Sequence, residues 1–201
     1  MSRQVFITGA SRGIGKAIAN KLKDENLTVI APSRHDLDLS DISSVQAYLK
    51  ENVNLTADIL INNAGENIIN TIPKTNIEDW QRMLTINLSA AFLLLQFFAT
   101  KMANKGWGRI INISSCYGIV SREGRAAYSA SKTGLIGLTR TAAIEFGKHG
   151  VLINAVCPGF IETDLTRKNN TEEQLKILSQ QTALQRLALP HEIAEFISFL
   201  V

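Results

Sequence analysis

Apolar positions along the chain follow two alternating rhythms. Short runs that are apolar on both sides, at 4–8, 27–31, 58–62, 109–114 and 151–156, predict strands buried on both faces. A further run at 36–39 predicts a very short strand of the same kind. Between these runs the apolar residues fall three and four apart, as in Ile14, Ala17, Ile18 and Leu22, which predicts helices over 13–24, 43–50 and 126–148. The pattern Thr75-Asn76-Ile77-Glu78 is a capping box that opens a long helix to about Ala103, and Thr171-Glu172-Glu173-Gln174 opens another. Pro190 starts the last helix. Strands alternating with helices, without repeats or linkers, predict one α/β domain over 1–201, a parallel sheet between two helix layers.

The first strand-to-helix junction reads Thr8-Gly9-Ala10-Ser11-Arg12-Gly13-Ile14-Gly15. In a Rossmann-like doubly wound sheet this turn meets the pyrophosphate of a dinucleotide. Gly9 allows a tight turn out of the strand, while Gly13 and Gly15 let backbone N–H groups and the helix N-terminus approach phosphate oxygens. The spacing is G-x-x-x-G-x-G rather than G-x-G-x-x-G, so the usual fingerprint is not matched. The second strand ends Ala31-Pro32-Ser33-Arg34, with an arginine where a ribose-binding carboxylate would stand. With Arg12 in the glycine loop, this favours NADPH; Asp36 and Asp38 follow closely, so NADH stays open.

Tyr128-Ser129-Ala130-Ser131-Lys132 places a phenol and an amine one helical turn apart. A phenol keeps its proton to about pH 10. An ammonium one turn away is expected to lower that pKa towards working pH and make a proton-transfer site for a carbonyl or alcohol, with Ser115 upstream.

Composition narrows the surroundings more than the chemistry. The 201 residues are 45% hydrophobic and 19% charged, with a net charge of +3, too small to argue for nucleic acid. The apolar stretch 90–99 is shorter than the ~20 residues that span a bilayer, so no membrane association is expected. Cys116 and Cys157 have no metal-ligand spacing and no metal is expected; the two form no disulfide framework, and the default location is a reducing cytoplasm. His35, His149 and His191 are scattered and are expected at the surface.

Together these motifs resemble the short-chain dehydrogenase/reductase family over nearly the whole chain. The resemblance rests on Thr8-Gly9, Gly13-Ile14-Gly15, Asn62-Asn63-Ala64-Gly65, Asn87, Ser115, Tyr128 with Lys132, and Pro158-Gly159, in order and separation. It implies a catalytic tetrad of Asn87, Ser115, Tyr128 and Lys132. Ser115 would hold the substrate oxygen, Tyr128 would protonate it as hydride reaches carbon, and Lys132 would lower the tyrosine pKa and hold the nicotinamide ribose. Asn87 would keep the long helix locally open and position a proton-relay water. The cofactor would be held by Gly9, Ser11, Arg12, Gly13, Ile14, Gly15, Arg34, Asp38, Asn63, Ala64, Gly65, Tyr128, Lys132, Pro158, Gly159, Ile161 and Thr163.

Within the family, the run Pro158 to Thr166 looks most like 3-oxoacyl-(acyl-carrier-protein) reductases. The implied activity is NADPH-dependent reduction of a ketone to a secondary alcohol, with a 3-oxoacyl thioester and acyl carrier protein among the candidates. An NAD(P)-dependent alcohol or sugar dehydrogenase, or a non-catalytic cofactor-binding regulatory protein, is the alternative. Two arginines that grip the carrier protein in those enzymes are replaced by Gly106 and His149, next to Lys105 and Lys148. The family's helix between Arg34 and His35 is missing, and the chain stops at Val201 before the family's last strand, as a truncated chain would. Pocket residues are expected within 119–125 and 166–189. The apolar helix around 90–98 implies a homo-oligomer, a dimer or tetramer.

Overall fold

The computed structural model describes residues 2–201. Five parallel strands, β1 (Gln4–Ile7), β2 (Thr28–Ile30), β3 (Ile59–Asn62), β4 (Gly108–Ile113) and β5 (Val151–Val156), form a sheet in the order β2-β1-β3-β4-β5. The inner strands are apolar at successive positions because both faces are covered. On one face Phe6, Leu60, Ile110 and Ile153 pack under α4 (Ala90–Lys105) and α5 (Ala126–Gly147), through Leu94, Phe98, Met102 and Ala142. On the other, Val5, Ile7, Ile59, Ile61 and Ile111 pack under α1 (Gly13–Asp24) and α8 (Pro190–Leu200), through Ile18, Leu22, Ala194 and Ile197. Each such side chain stabilises the fold by about 1.5–3 kcal/mol on full burial. That is enough to set strand position on both faces at once.

The chain leaves β1 towards β2 and then returns across β1 to β3, so the loops after β1 and β3 diverge. This reversal is where open α/β sheets bind ligands. The two loop bases are clamped together. Thr8 Oγ1 accepts from the N–H groups of Asn63 and Ala64, both at 3.1 Å. Asn63 Nδ2 donates to the carbonyls of Thr8 and Gly9, at 3.0 and 3.1 Å. Behind the clamp, Asn62 Nδ2 donates to Asn112 Oδ1 and Asn112 Nδ2 donates to Thr139 Oγ1, each at 2.9 Å, which ties β3, β4 and α5.

Two local expectations are corrected. Residues 36–39 form a turn and not a strand, so the three-residue β2 is a sheet edge. Asp36 accepts from Ser33 N and Oγ, and Asp38 from Ser40 N and Oγ, which curls the backbone, while Leu37 between them is buried. The long helix is capped by Asn76 rather than Thr75: Asn76 Oδ1 accepts from Asp79 N at 2.7 Å. That helix is also interrupted, as α3 (Ile77–Leu84), a π-helical turn at Thr85–Ser89, then α4. By length and hydropathy, Ile77–Lys105 would suffice to cross a membrane, yet Ala90, Ala91, Leu94, Leu95, Phe98, Ala99 and Met102 are buried within the fold. Of the remaining helices, α2 (Ile42–Glu51) is capped by Asp41, and α7 (Glu172–Gln180) carries the expected Thr171–Gln174 capping box.

Candidate active site

The glycine loop needs its glycines for distinct reasons. Gly9 and Gly13 adopt left-handed backbone, with φ of 68° and 54°. At Gly15 a Cβ would lie 2.2 Å from the Gly9 carbonyl oxygen and 2.3 Å from Asn63 Nδ2, so the start of α1 reaches the clamp only without a side chain. No side chain caps α1, and its first turn has no acid. Its free N–H groups and positive dipole end therefore face the crevice as an anion site.

A cleft of about 720 Å³ runs from this loop to α5. Every residue expected to hold the cofactor lines it: Gly9, Ser11, Arg12, Gly13, Ile14, Gly15, Arg34, Asp38, Asn63, Ala64, Gly65, Tyr128, Lys132, Pro158, Gly159, Ile161 and Thr163. Thr163 caps α6 (Asp164–Lys168), and its methyl group would contact a Cβ on Gly13 at 3.4 Å. At the far end Arg12 and Arg34 are exposed, and Arg34 lies 3.6 Å from Asp38. Hydrogen bonds from Ser33 and Ser40 hold Asp36 and Asp38 below the usual carboxylate range. The shape, the free helix end and the two cations fit a dinucleotide.

At the α5 end, Lys132 is buried and its Nζ donates to the Ile113 carbonyl at 2.8 Å. No carboxylate pairs with it among the described residues. Burial lowers its pKa from 10.5 to about 8. Gly65 lies against it: a Cβ there would be 3.3 Å from both Lys132 Nζ and Asn87 Oδ1. Asn87, in the π-helical turn, is buried behind the cleft rather than lining it. Its amide accepts from Glu66 N at 2.8 Å and donates to Glu66 O at 2.9 Å and Ser131 Oγ at 3.0 Å.

Tyr128 and Ser115 converge. Both line the same two cavities, and Ser115 Oγ accepts from Tyr117 N at 3.1 Å. Lys132 Nζ is 5.8 Å from the Tyr128 ring centre. The expected downward pull of Lys132 on the phenol is not what dominates here. Burial raises the Tyr128 pKa, and the opposing influences are the nearby Ser115 hydroxyl and the charge of Arg125.

Both hydroxyls also face a second, smaller cavity of about 90 Å³, walled by Asn67, Tyr117 and Arg125 and covered by Phe160, Leu165, Thr166, Asn169, Asn170 and Leu178. The cover is the segment 160–189, whose base is closed by a bridge between Ile161 and Ala188. Pocket residues therefore fall inside both expected segments, although Ile119 and Val120 are exposed. Sequence reasoning missed the Thr8–Asn63 clamp, the Glu66 and Ser131 contacts of Asn87, and Arg125. The sign of Arg125 was its place at the end of the expected pocket segment 119–125, three residues before Tyr128. The three histidines are exposed and both cysteines are free.

Comparison with known proteins accounts for this arrangement. The family model described as short chain dehydrogenase matches residues 3–174. The 3-oxoacyl-(acyl-carrier-protein) reductase of Aquifex aeolicus is 37% identical over an alignment 219 positions long, gaps included, covering 97% of this chain and 88% of that protein. That alignment is longer than the chain itself, so the relative carries residues that are absent here. A solved structure of 4-hydroxyisoleucine dehydrogenase complexed with NADH is 30% identical, with a TM-score of 0.90, covering 99% of this chain and 90% of that one. A candidate NAD(P) dependent gluconate 5-dehydrogenase from Beutenbergia cavernae, with bound NADP, is 28% identical, with a TM-score of 0.90 and coverage of 99% and 89%. The chain belongs to the short-chain dehydrogenase family and is an NAD(P)-dependent oxidoreductase.

Proposed function

We propose that the protein reduces a ketone to a secondary alcohol with NADPH. The observation that carries this reading is that Ser115 and Tyr128 line both the large cleft and the small covered cavity. A carbonyl oxygen placed there accepts from both. Reduced nicotinamide bound in the cleft supplies hydride to the carbonyl carbon. Burial keeps the Tyr128 phenol protonated through neutral pH, so Tyr128 is the proton donor to the oxygen. Lys132 carries its charge below about pH 8 and lies close enough to stabilise the phenolate left behind. Its unpaired N–H groups are also available to a ribose. Asn87 is a positioning residue that fixes Glu66 and Ser131 beside the amine.

NADPH is favoured over NADH by Arg12 and Arg34 at the adenosine end, against the single carboxylate of Asp38. A 3-oxoacyl thioester on an acyl carrier protein is supported by the name of the Aquifex relative. On the surface such a carrier would meet, Lys105 is paired with Asp58 but stays exposed, so an acidic partner would compete with that pair. The two dehydrogenase structures support a second reading, oxidation of a hydroxy acid in the reverse direction at the same groups. A homodimer or tetramer is supported by Phe92 on α4 and Ile144 on α5, the latter 81% exposed.

Tyr128→Phe is expected to lower kcat by roughly 100-fold or more while NADPH affinity changes less than threefold; near-normal turnover removes Tyr128 from its role. Titration of the two cofactors should give NADPH the tighter binding by about tenfold or more, narrowed in Arg34→Ala, and tighter NADH binding rejects the preference. Sedimentation at micromolar concentration is expected to show a dimer or larger, and a strict monomer rejects the oligomer.

A further inference from the structure

The small cavity is lined by a cation that no carboxylate among the described residues neutralises. Arg125 is only 6% exposed, and its Nε and Nη1 are buried without a hydrogen-bond partner. Among the described residues no carboxylate lies within ion-pair distance of it. Its guanidinium lies over the face of the Tyr117 ring, 5.4 Å from the centroid. The neighbouring charge of Arg122 is of the same sign, and burial pushes the guanidinium below its ordinary pKa. Two more polar atoms on this wall are buried and unpartnered: the Tyr117 hydroxyl and the Asn67 side-chain oxygen.

A buried guanidinium without an anion is strongly unfavourable, and a Met or Leu would pack against Tyr117 without that cost. Buried polar groups of this kind are normally satisfied by a partner. Three on one cavity wall, beside the reacting hydroxyls, mark a place for a polar ligand group. The wall is also rigid. Gly124 holds left-handed backbone, with φ of 78°, and a Cβ there would lie 2.9 Å from Ile69. Asn70 N donates to the Gly124 carbonyl at 3.2 Å, which joins the Asn67 loop to the Arg125 loop. Tyr117 is fixed by edge contacts with Tyr128 and Phe160, at 6.4 and 6.1 Å between ring centres.

We propose that the substrate is a short oxo acid whose free carboxylate is held by Arg125 and Tyr117 while its ketone oxygen meets Ser115 and Tyr128. This rests on the ketone-reduction reading above and names its substrate class. The oxygens match the donors. The ketone oxygen takes two hydroxyls, and the planar carboxylate takes the arginine fork and the Tyr117 phenol. A thioester would instead set a neutral, bulky group against the guanidinium and leave its N–H groups unmet. In the reaction the ketone carbon takes a hydride from reduced nicotinamide and the oxygen takes the Tyr128 proton. The products are the hydroxy acid and oxidised cofactor, and solvent returns the proton to Tyr128.

Pyruvate, acetoacetate and 4-oxopentanoate, each beside its methyl ester, test this by NADPH oxidation, with calorimetric binding of the same acids to the protein–NADP complex. At least one acid should exceed its ester in kcat/KM by tenfold or more, mainly through KM. Arg125→Gln should shrink that ratio at least tenfold and Arg125→Lys should restore part of it, with NADPH affinity reporting that both variants are folded. An ester equal to or better than every acid, or a ratio unchanged in Arg125→Gln, overturns the carboxylate site and leaves ketone reduction standing. If nothing is reduced but an acid binds the wild type and not Arg125→Gln, ketone reduction fails and the carboxylate site stands. Absence of both turnover and acid binding overturns the site.

Discussion

Lys132 is taken out of water with no carboxylate paired to it among the described residues, and the geometry of the active end follows from how the fold accommodates that amine. The Ile113 carbonyl at the end of β4 accepts from it. Gly65, just after β3, is bare enough to lie against it, and Asn87 Oδ1 from the π-helical turn also lies beside Gly65. The ends of β3 and β4 therefore meet at one nitrogen. In the low-dielectric interior the uncharged form of that nitrogen is favoured, which brings its titration close to physiological pH. An amine that titrates there can hold or release charge as a neighbouring phenol gives up or regains its proton.

The same economy of side chains shapes the rest of the cleft. The reversal of strand order opens a crevice between the β1 and β3 loops, and the Thr8–Asn63 clamp keeps that crevice at a fixed width. Gly15 lets α1 begin hard against the clamp, so its N-terminal N–H groups aim into the opening. The Tyr-Lys helix is tied to the sheet by the Asn62–Asn112–Thr139 chain and by the bond from Ser114 Oγ to the Lys132 carbonyl. The two ends of the cleft are therefore parts of one packed sheet, and their separation is set by strand register rather than by loop conformation.

Much of this was legible from residue order alone. Double-sided apolar runs identify buried strands because helices must cover both faces, and the glycine loop, Asn63-Ala64-Gly65 and Tyr128-to-Lys132 all line the predicted cleft. What was not legible depends on tertiary surroundings. Leu37 and Leu39 alternate with aspartates as a strand would, but serine-to-aspartate hydrogen bonds curl the segment. The sign of the shift on Tyr128 depends on how deeply its phenol is buried, which spacing on a helix does not report. Arg125 falls in an expected pocket segment, but its burial is not visible in sequence. Only the packing of Tyr117 and the cover over 160–189 make it a buried cation.

The most direct measurement is the titration of Lys132 itself, followed by NMR of side-chain-labelled lysine in the ligand-free protein. One lysine should titrate near pH 8, and that signal should be missing in Lys132→Met. A Lys132 midpoint near the ordinary 10.5 would contradict the burial of an unpaired amine on which this site is built.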